Sequence, residues 1–580
     1  MINWIKRGIV LILCAGIWIL SQGMSMLSDP FLQAPTPESV NVVWFTEFEG
    51  TAHWLELGQP IETKISATSR QLSRLREDEF SYTLQTYSEL TYRPIWRHEV
   101  EVKELKGNQV LPYRVVSQDG ELVQRSEVFA LQSSPSKGQP LTILLTSDHQ
   151  LMPMVAANIQ QAAAIYGKFD AVFHAGDLVN VPDRASEWFD DCRGRSFFPV
   201  LQGKGSVQLG DRIYQGAQIL QNTPIFPCIG NHEVMGRNSP SEPLHLQFKN
   251  PQPRAIAEEN YLTQQTEFNP DYPQPNPPFD PDLAAQWITD QSFNFQTYQE
   301  IFTLPPTSAP QKQYYAVTFG DIRLISLMVT NVWRTPEENP KIAGRYKESL
   351  EQLTTPENWG HGQFIFEPIT PDSEQYNWLR SELESSDFQQ AKYKIVMFHH
   401  PPHSLGGNIT PPYTDPQAYE EYAPDGTMRH RRYHYPKDDD YIIRDLVLLL
   451  ENAGVQLVFY GHSHLWNRFQ SPSGMHFLET SNVGNSYGAH VGDNPRKMPA
   501  FVDHQNDLPV GNPNGLDPIT PTIAPLLDQA GQPLPYIASN EMTVFTVLET
   551  ATGLVKSYYF NTRQGNAEVT LFDQFRLSHD

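Results

Sequence analysis

The stretch Gly230-Asn231-His232-Glu233 follows directly on a short apolar run, Ile225 to Ile229, and it decides how the rest of the chain is interpreted. The run is typical of a buried strand. Four more such strands end in the same way, in carboxylate, amide or imidazole side chains. They are Leu141 to Thr146 before Asp148-His149-Gln150, Ala171 to Ala175 before Gly176-Asp177, Lys394 to Phe398 before His399-His400, and Val455 to Tyr460 before Gly461-His462-Ser463-His464.

The carboxyl ends of these strands predict a metal site. Ends of parallel strands meet at one edge of an open α/β sheet, which is where such sheets place their ligands. Two ions about 3.5–4 Å apart can share a hydroxide and clamp a phosphate, provided that one carboxylate bridges them. We predict Asp177 as that bridge. The other expected ligands are Asp148 and His464 on the first ion, and Asn231, His399 and His462 on the second.

The residues directly after Asn231 have the chemistry for catalysis. His232 is placed to contact a phosphoryl group as an acid or as an electrostatic stabiliser. Glu233 is expected to hold His232 in orientation. On the strand that ends at Phe398, His400 remains an alternative to His399 as the ligand.

Composition limits the partners of the chain. Its 580 residues are enough for two to four domains, and its formal charge of -24 repels nucleic acid phosphates and anionic membrane surfaces. We therefore expect a small phosphorylated substrate and no nucleic acid, and no protein partner is inferred. Cys192 and Cys228 either form one disulfide or remain free.

Residues 1–28 are predicted to be a signal peptide or a membrane anchor. Lys6 and Arg7 precede the apolar run Gly8 to Leu20, which is shorter than the roughly 20 residues of a spanning helix. Membrane anchoring through residues 8–20 is the alternative to cleavage. Both alternatives place the body outside the cytoplasm, whether periplasmic, secreted or anchored and facing outward.

The body is predicted to contain two domains. Residues 36–134 contain short runs rich in β-branched and aromatic residues, which favour an all-β sandwich of the immunoglobulin or fibronectin type III kind. The runs are Val42 to Thr46, Tyr82 to Thr86, Tyr113 to Val116 and Glu127 to Leu131. In residues 140–580 strands alternate with helical patterns, which predicts an α/β domain. Its inserts at 235–291, 402–440 and 485–537 lack clear periodicity, and we expect them to wall the substrate cleft.

Residues 140–565 resemble the calcineurin-like metallophosphoesterase superfamily, which shows D-x-H, GD, GNH[DE], H-x-P-like and GHxH motifs in this order. With the β-sandwich before it, the whole chain resembles the purple acid phosphatase branch. The resemblance implies a four-layer αββα sandwich, two metal ions (iron, zinc or manganese) and phosphoester hydrolysis. Alignment with H-x-P favours His399 over His400.

Two positions depart from the pattern of the family. Gln150 stands where D-x-H enzymes have histidine, and its amide oxygen is a weaker ligand for soft ions. Asn180 stands where purple acid phosphatases have the tyrosinate that gives them their colour, so this protein should not be purple.

The resulting hypothesis is an exported dinuclear-metal phosphoesterase that hydrolyses phosphomonoesters by attack of a metal-bridging hydroxide. The alternatives are a phosphodiesterase or nucleotide hydrolase, and a non-catalytic envelope-binding protein on a degenerate phosphoesterase fold. Gln150 and Asn180 are the only residues that favour the non-catalytic alternative.

Overall fold

The computed structural model describes the larger part of the chain. The described residues are 26–107, 109–252, 254–264, 281–305, 313–332, 364–365, 367–406, 413, 417–434, 437–489, 491, 515–564 and 567–577. No helix within these ranges is long and apolar enough to cross a membrane. The run at residues 8–20, where an anchor was predicted, lies outside them.

The first part of the chain forms two antiparallel sheets. The first has the order Phe31–Gln33, Val40–Thr46, Trp96–Val102, Thr68–Gln71; the second has the order Leu122–Arg125, Leu111–Asp119, Ala52–Leu57, Thr63–Ser66, with Phe129–Leu131 also paired to Leu111–Asp119. Trp44 is fully buried between the sheets, and its Nε1 donates to Ser117 Oγ at 3.0 Å. The β-rich region predicted from the sequence is therefore present.

The strand predicted over Tyr82 to Thr86 is wrong. These residues form bends and belong to no sheet. Their alternating pattern fits a pleated strand, but the side chains of Tyr82 and Leu84 are 54% and 79% exposed. Without a core to cover, the alternation has no packing energy to fix it as a strand.

Two larger sheets form the centre of the rest of the chain. The six-stranded sheet has the order Ile225–Pro227, Ala171–His174, Thr142–Thr146, Met542–Glu549, Leu554–Asn561, Thr570–Arg576; the seven-stranded sheet has the order Tyr315–Phe319, Ile322–Ser326, Tyr393–Met397, Leu457–Tyr460, His476–Thr480, Trp466–Gln470, Tyr536–Ile537. All five strands predicted to precede a metal motif are present. Three are parallel neighbours in the first sheet and two are parallel neighbours in the second.

The two sheets pack face to face and helices cover their outer faces. Leu457 belongs to the core between the sheets, whereas Val458 packs with the helix residues Leu379 and Leu446 on the outer face. Successive strand residues separate in this way because their side chains point to opposite faces. Thr480 and Thr546 join the two sheets through their hydroxyl groups at 2.9 Å. The predicted four-layer αββα architecture is confirmed.

Short helices and two-stranded ribbons complete the described structure. The α-helices are Val155–Tyr166, Ala185–Phe189, Phe197–Leu201, Leu244–Phe248, Arg254–Gln264, Pro281–Asp290, Gln296–Ile301, Glu374–Leu383, Ser386–Gln389 and Leu448–Asn452, with a 3₁₀ turn at Lys437–Asp439 and a π-helix at Ile442–Val447. The ribbons pair Arg76–Glu77 with Thr91–Tyr92, Val207–Leu209 with Arg212–Tyr214, Asn331–Val332 with Phe364–Ile365, and Gln417–Tyr422 with Met428–His434. The inserts therefore contain regular elements that their sequences did not predict.

The β-rich region and the α/β part share one apolar core. Phe31 and Phe45 from the first sheet contact the ring of Phe198, with centroid distances of 4.9 and 5.5 Å. Phe189 stacks on the same ring at 5.6 Å. All four rings are buried in the core that also contains the six-stranded sheet. The two parts are thus joined by core packing, to which buried ion pairs are added.

Cys192 and Cys228 are both free. Cys228 is buried after the strand Ile225–Pro227, and Cys192 is exposed. The structure therefore supports the alternative without a disulfide between them.

Candidate metal centre

The metal motifs lie where the two central sheets meet. Parallel neighbours bring Asp148, Asp177 and Asn231 to one edge of the six-stranded sheet, and His399 and His462 to one edge of the seven-stranded sheet. One hydrogen bond links the two edges directly, since His399 Nδ1 donates to the carbonyl oxygen of Ala175 at 2.8 Å. This bond also leaves Nε2 of His399 free to face the other motif residues.

One group of predicted ligands is arranged around Asn231. Its Oδ1 lies 3.1 Å from His399 Nε2 and 3.2 Å from His462 Nδ1. The same His399 nitrogen lies 3.2 Å from Asp177 Oδ2. Four side chains that were predicted to bind the second ion or to bridge both ions therefore converge.

The second group is arranged around Asp148. His464 Nε2 lies 3.3 Å from Asp148 Oδ1. The Gln150 amide donates to Asp177 Oδ2 at 2.5 Å. The ligand atoms of Asp148, Asp177 and His399 all lie within 4.8 Å of one another. Asp177 is thus in contact with members of both groups, which is the position that a bridging carboxylate requires.

His400 lies next to this arrangement. Its ring stacks on His462 with a centroid distance of 4.0 Å, and its ligand atoms fall within 4.8 Å of those of His399 and His462. His399 contacts both Asp177 and Asn231, so the geometry favours it as the ligand. His400 remains the alternative that the sequence left open.

The backbone at the motifs is strained. Nine non-glycine residues in the described ranges have φ in the left-handed region, and six of them lie in the metal motifs or directly after one. These six are Asp148, Gln150, Leu151, Asp177, His462 and His464. Each such residue costs about 1–3 kcal/mol, and the surrounding structure has to supply that energy. Strain concentrated in this way indicates that ligand geometry takes precedence over local stability.

Two glycines allow the motifs to approach each other. A Cβ on Gly230 would stand 2.2 Å from Asp177 Oδ1, and a Cβ on Gly461 would stand 2.3 Å from Asp148 Oδ2. Both distances are far below ordinary contact, so a side chain at either position would displace the neighbouring carboxylate.

His232 lies at the accessible side of the site. Its Nδ1 donates to the carbonyl oxygen of Asn180 at 2.7 Å, and its Nε2 lies 3.9 Å from Asp177 Oδ2. The ring of Phe248, from the first insert, packs against it with a centroid distance of 5.1 Å. The side chain is 19% exposed. His232 is therefore held through one nitrogen and presents the other beside Asp177.

Glu233 does not orient His232, contrary to the prediction. Its carboxylate accepts backbone N–H groups of Gly230 and Asp177 at 2.8 Å and of Leu178 at 2.7 Å. Burial, followed by the charge of Asp177, raises the pKa of Glu233 to about 8. Glu233 thus fixes the backbone that carries Asp177 and Asn231, and the partner that orients His232 is the Asn180 carbonyl.

Sequence reasoning missed three supporting residues. Asn485 Oδ1 accepts from His464 Nδ1 at 2.5 Å, and the ring of Tyr487 packs on His464 at 4.4 Å. Glu479 Oε1 accepts the backbone N–H of Ser463 at 2.9 Å. Glu479 had a signal, since it is a charged residue inside a strand-like run, whereas Asn485 lies in an insert with no recognisable pattern.

Electrostatics at the centre favour a cation. Burial opposes ionisation of Asp177, but His399 and His232 outweigh it and hold the pKa of Asp177 well below its usual range. Burial likewise opposes the charge on His399, but Asp177 raises the pKa of His399 to about 10. Burial lowers the pKa of His462 well below its ordinary value, so this ring is neutral and able to ligate.

The donors present fit a pair of metal ions. The set combines carboxylate, amide and imidazole groups, which suit iron, manganese or zinc. Gln150 Oε1 and both ring nitrogens of His400 are buried without a hydrogen-bond partner. Burying such ligand atoms without a partner lowers the stability of the fold, and a bound cation would supply the partner. Metal binding would also replace the proton that His399 shares with Asp177, because ligands bind in their deprotonated form.

Comparison with known proteins places this arrangement in a family. No curated protein matches the sequence. A purple acid phosphatase, PPD1 from seeds of yellow lupin (Lupinus luteus), superposes with a TM-score of 0.50 at 14% identity, covering 94% of this chain and 73% of that one. GAP50, the anchor in the inner membrane complex of Plasmodium, gives a TM-score of 0.31 at 11% identity, covering 75% of this chain and 90% of that one.

The lupin enzyme shows that the two chains share a fold. The profile of the calcineurin-like phosphoesterases matches residues 141–465, which is more than half of the chain and includes all of the metal motifs. The prediction of a metal-dependent phosphoester hydrolase is confirmed. The chain belongs to the calcineurin-like phosphoesterase family.

Proposed function

We propose that this protein is exported and hydrolyses small phosphomonoesters at a pair of metal ions. The observation that carries the proposal is the convergence of Asp177, Asn231, His399 and His462, with His232 beside them on the accessible side. Two bound ions supply the hydroxide nucleophile and neutralise the phosphoryl oxygens.

The residues of the chain divide the remaining work between them. Asp177 would hold both ions, Asp148, Gln150 and His464 the first, and Asn231, His399 and His462 the second. His232 has its Nδ1 fixed by Asn180 and its Nε2 beside Asp177, and from there Nε2 would contact a phosphoryl oxygen or the leaving group. Because the ring is only partly buried, a substrate can reach it from solvent.

Small substrates suit the charge of the protein. A net charge of -24 repels a polynucleotide along its whole length, whereas a single phosphoryl group meets the local positive charge of the ions. Gln150 offers an amide oxygen where an imidazole is usual in the family, which favours manganese at the first position.

Export rests on the first residues of the chain. Lys6 and Arg7 followed by the apolar run Gly8 to Leu20 have the order of charges and apolar residues that secretory signals require. Fusing residues 1–28 to a reporter that folds only in an oxidising compartment tests this point. An inactive reporter that is present in the cytoplasm would refute export.

The catalytic proposal is tested by turnover of p-nitrophenyl phosphate and of bis(p-nitrophenyl) phosphate after reconstitution with manganese, iron or zinc. We expect faster turnover of the monoester, and loss of several orders of magnitude in Asn231→Ala and His462→Ala. Asn377→Ala is the matched control, because Asn377 is exposed on the helix Glu374–Leu383. Faster turnover of the diester would replace the proposal with a phosphodiesterase, and equal activity in all variants would refute the site.

A further inference from the structure

A buried carboxylate of the β-rich region lies at the centre of a polar network. Asp78 follows the short strand Arg76–Glu77, and it is 3% exposed. Its two oxygens each accept from Arg184 Nη2 at 3.0 Å. Oδ2 also accepts the backbone N–H of Leu244 at 2.7 Å. Asp78 therefore holds two separate segments of the α/β part at once.

The first of these segments leads to His232. Arg184 Nη1 donates to Glu187 Oε1 at 3.0 Å. Glu187 Oε2 accepts the backbone N–H groups of Asn180 and Val181 at 2.6 and 2.7 Å. The carbonyl of that same Asn180 is the acceptor for His232 Nδ1 at 2.7 Å. An unbroken series of hydrogen bonds thus connects Asp78 to the imidazole.

The second segment reaches the other side of the same ring. The helix Leu244–Phe248 begins where Asp78 accepts the Leu244 N–H, and its last residue, Phe248, packs on His232. Between the two segments lies a small apolar cluster of Val181, Met235 and Leu244. Leu90 of the β-rich region and Phe248 pack against this cluster. The support of His232 is therefore built partly from the β-rich region.

We propose that Asp78 is a positioning residue for His232, acting through Arg184 and Glu187 on one side of the ring and through the helix Leu244–Phe248 on the other. The inference rests on the proposed role of His232. It gives the β-rich region a part in catalysis, because that region supplies the carboxylate that keeps the Asn180 carbonyl and Phe248 in place around the imidazole.

The test compares Asp78→Asn in two backgrounds. The asparagine keeps the size of the side chain but removes the charge that pairs with Arg184. Arg184 is only 6% exposed, so its own charge would remain buried. Changes to residues that orient a functional group typically cost on the order of 10- to 100-fold. We expect kcat for p-nitrophenyl phosphate to fall by about tenfold or more, with metal content unchanged. We further expect the fall to lie in kcat, with KM nearly unchanged.

In the His232→Ala background the same substitution should have no further effect on kcat, because no imidazole remains to be positioned. The inference would be overturned if kcat fell by the same factor in both backgrounds, or if kcat did not fall in the wild-type background. If His232→Ala itself kept full activity, the proposed role of His232 would fail, and this outcome is recognised from the single variant alone.

Glu187→Gln is the second variant, and it keeps the test decisive if Asp78→Asn does not fold. An amide group there would turn a donor toward the N–H of Asn180 or Val181, and the same loss confined to the wild-type background is expected. Asp573→Asn is the matched control. Asp573 is equally buried and pairs twice with Arg468, at 2.9 and 3.2 Å, but this pair belongs to the far strands of the sheets. Asp573→Asn should lower the thermal midpoint. Any change that it causes in kcat should be the same with and without His232.

Discussion

Replacing Gly461 by alanine should separate ligand geometry from overall stability. The new Cβ would stand 2.3 Å from Asp148 Oδ2 and 2.8 Å from Ser147 Oγ. Ordinary contact begins at 3.4 Å, so the carboxylate has to retreat by about 1 Å. Gly461 does not have a left-handed backbone, hence alanine adds this contact without adding backbone strain.

A shift of this size is large for a metal ligand. Coordination distances tolerate changes of about 0.2 Å, so Asp148 would lose its ion or bind it poorly. A misplacement of about 1 Å at a catalytic centre costs roughly a hundredfold in rate. We therefore expect kcat/KM for p-nitrophenyl phosphate to fall by about that factor, with part of the metal lost.

The assay measures turnover, metal content by elemental analysis and the thermal midpoint on the same preparation. Gly107→Ala is the control, because its new Cβ would meet only Ser136 Oγ, at 3.7 Å. A Gly461→Ala protein that keeps its metal and its turnover within a factor of about two would show that Asp148 need not occupy the place described here.

Three further predictions concern histidines. His232→Ala should lower kcat by about 10²- to 10⁴-fold while metal content stays constant, as measured by turnover and elemental analysis. Loss of metal from this variant would instead identify His232 as a ligand. Asn485→Ala removes the partner of His464 Nδ1 and should weaken metal binding by about 10- to 100-fold in a chelator competition; unchanged affinity would contradict that support. Burial, then the neighbouring His53, lowers the pKa of His98 to about 2, below its unfolded value of about 6.5. Because the unfolded chain then binds the extra proton, stability should fall as pH drops below about 6.5, by up to roughly 1.4 kcal/mol per unit. Thermal midpoints at pH 7 and 5 test this, and His98→Gln should show a flatter dependence.

The sequence predicted the metal motifs well because each motif is a local pattern. An apolar run followed by Asp, Asn or His identifies both a buried strand and its end, and the parallel order of the strands brings those ends together. Asp148, Gln150, Asp177, Asn231, His399, His462 and His464 all lie at the site for this reason.

The contacts that support the motifs were not predictable in the same way. Asn485 reaches His464 from an insert without periodicity, and Asp78 reaches Asn180 only through two intervening side chains. Glu233 was assigned to the nearest polar neighbour in sequence, but the strained backbone around Asp177 presents three N–H groups to it instead. The false strand at Tyr82 to Thr86 shows that alternation identifies a possible face but not whether a core exists to cover it.

The aromatic layer formed by Phe31, Phe45, Phe189 and Phe198 determines how far the enzyme can be shortened. A polypeptide beginning near residue 140 would turn the rings of Phe189 and Phe198 toward water and would tend to aggregate. A shortened catalyst would therefore need polar side chains in place of Phe189 and Phe198 before the β-rich region could be removed.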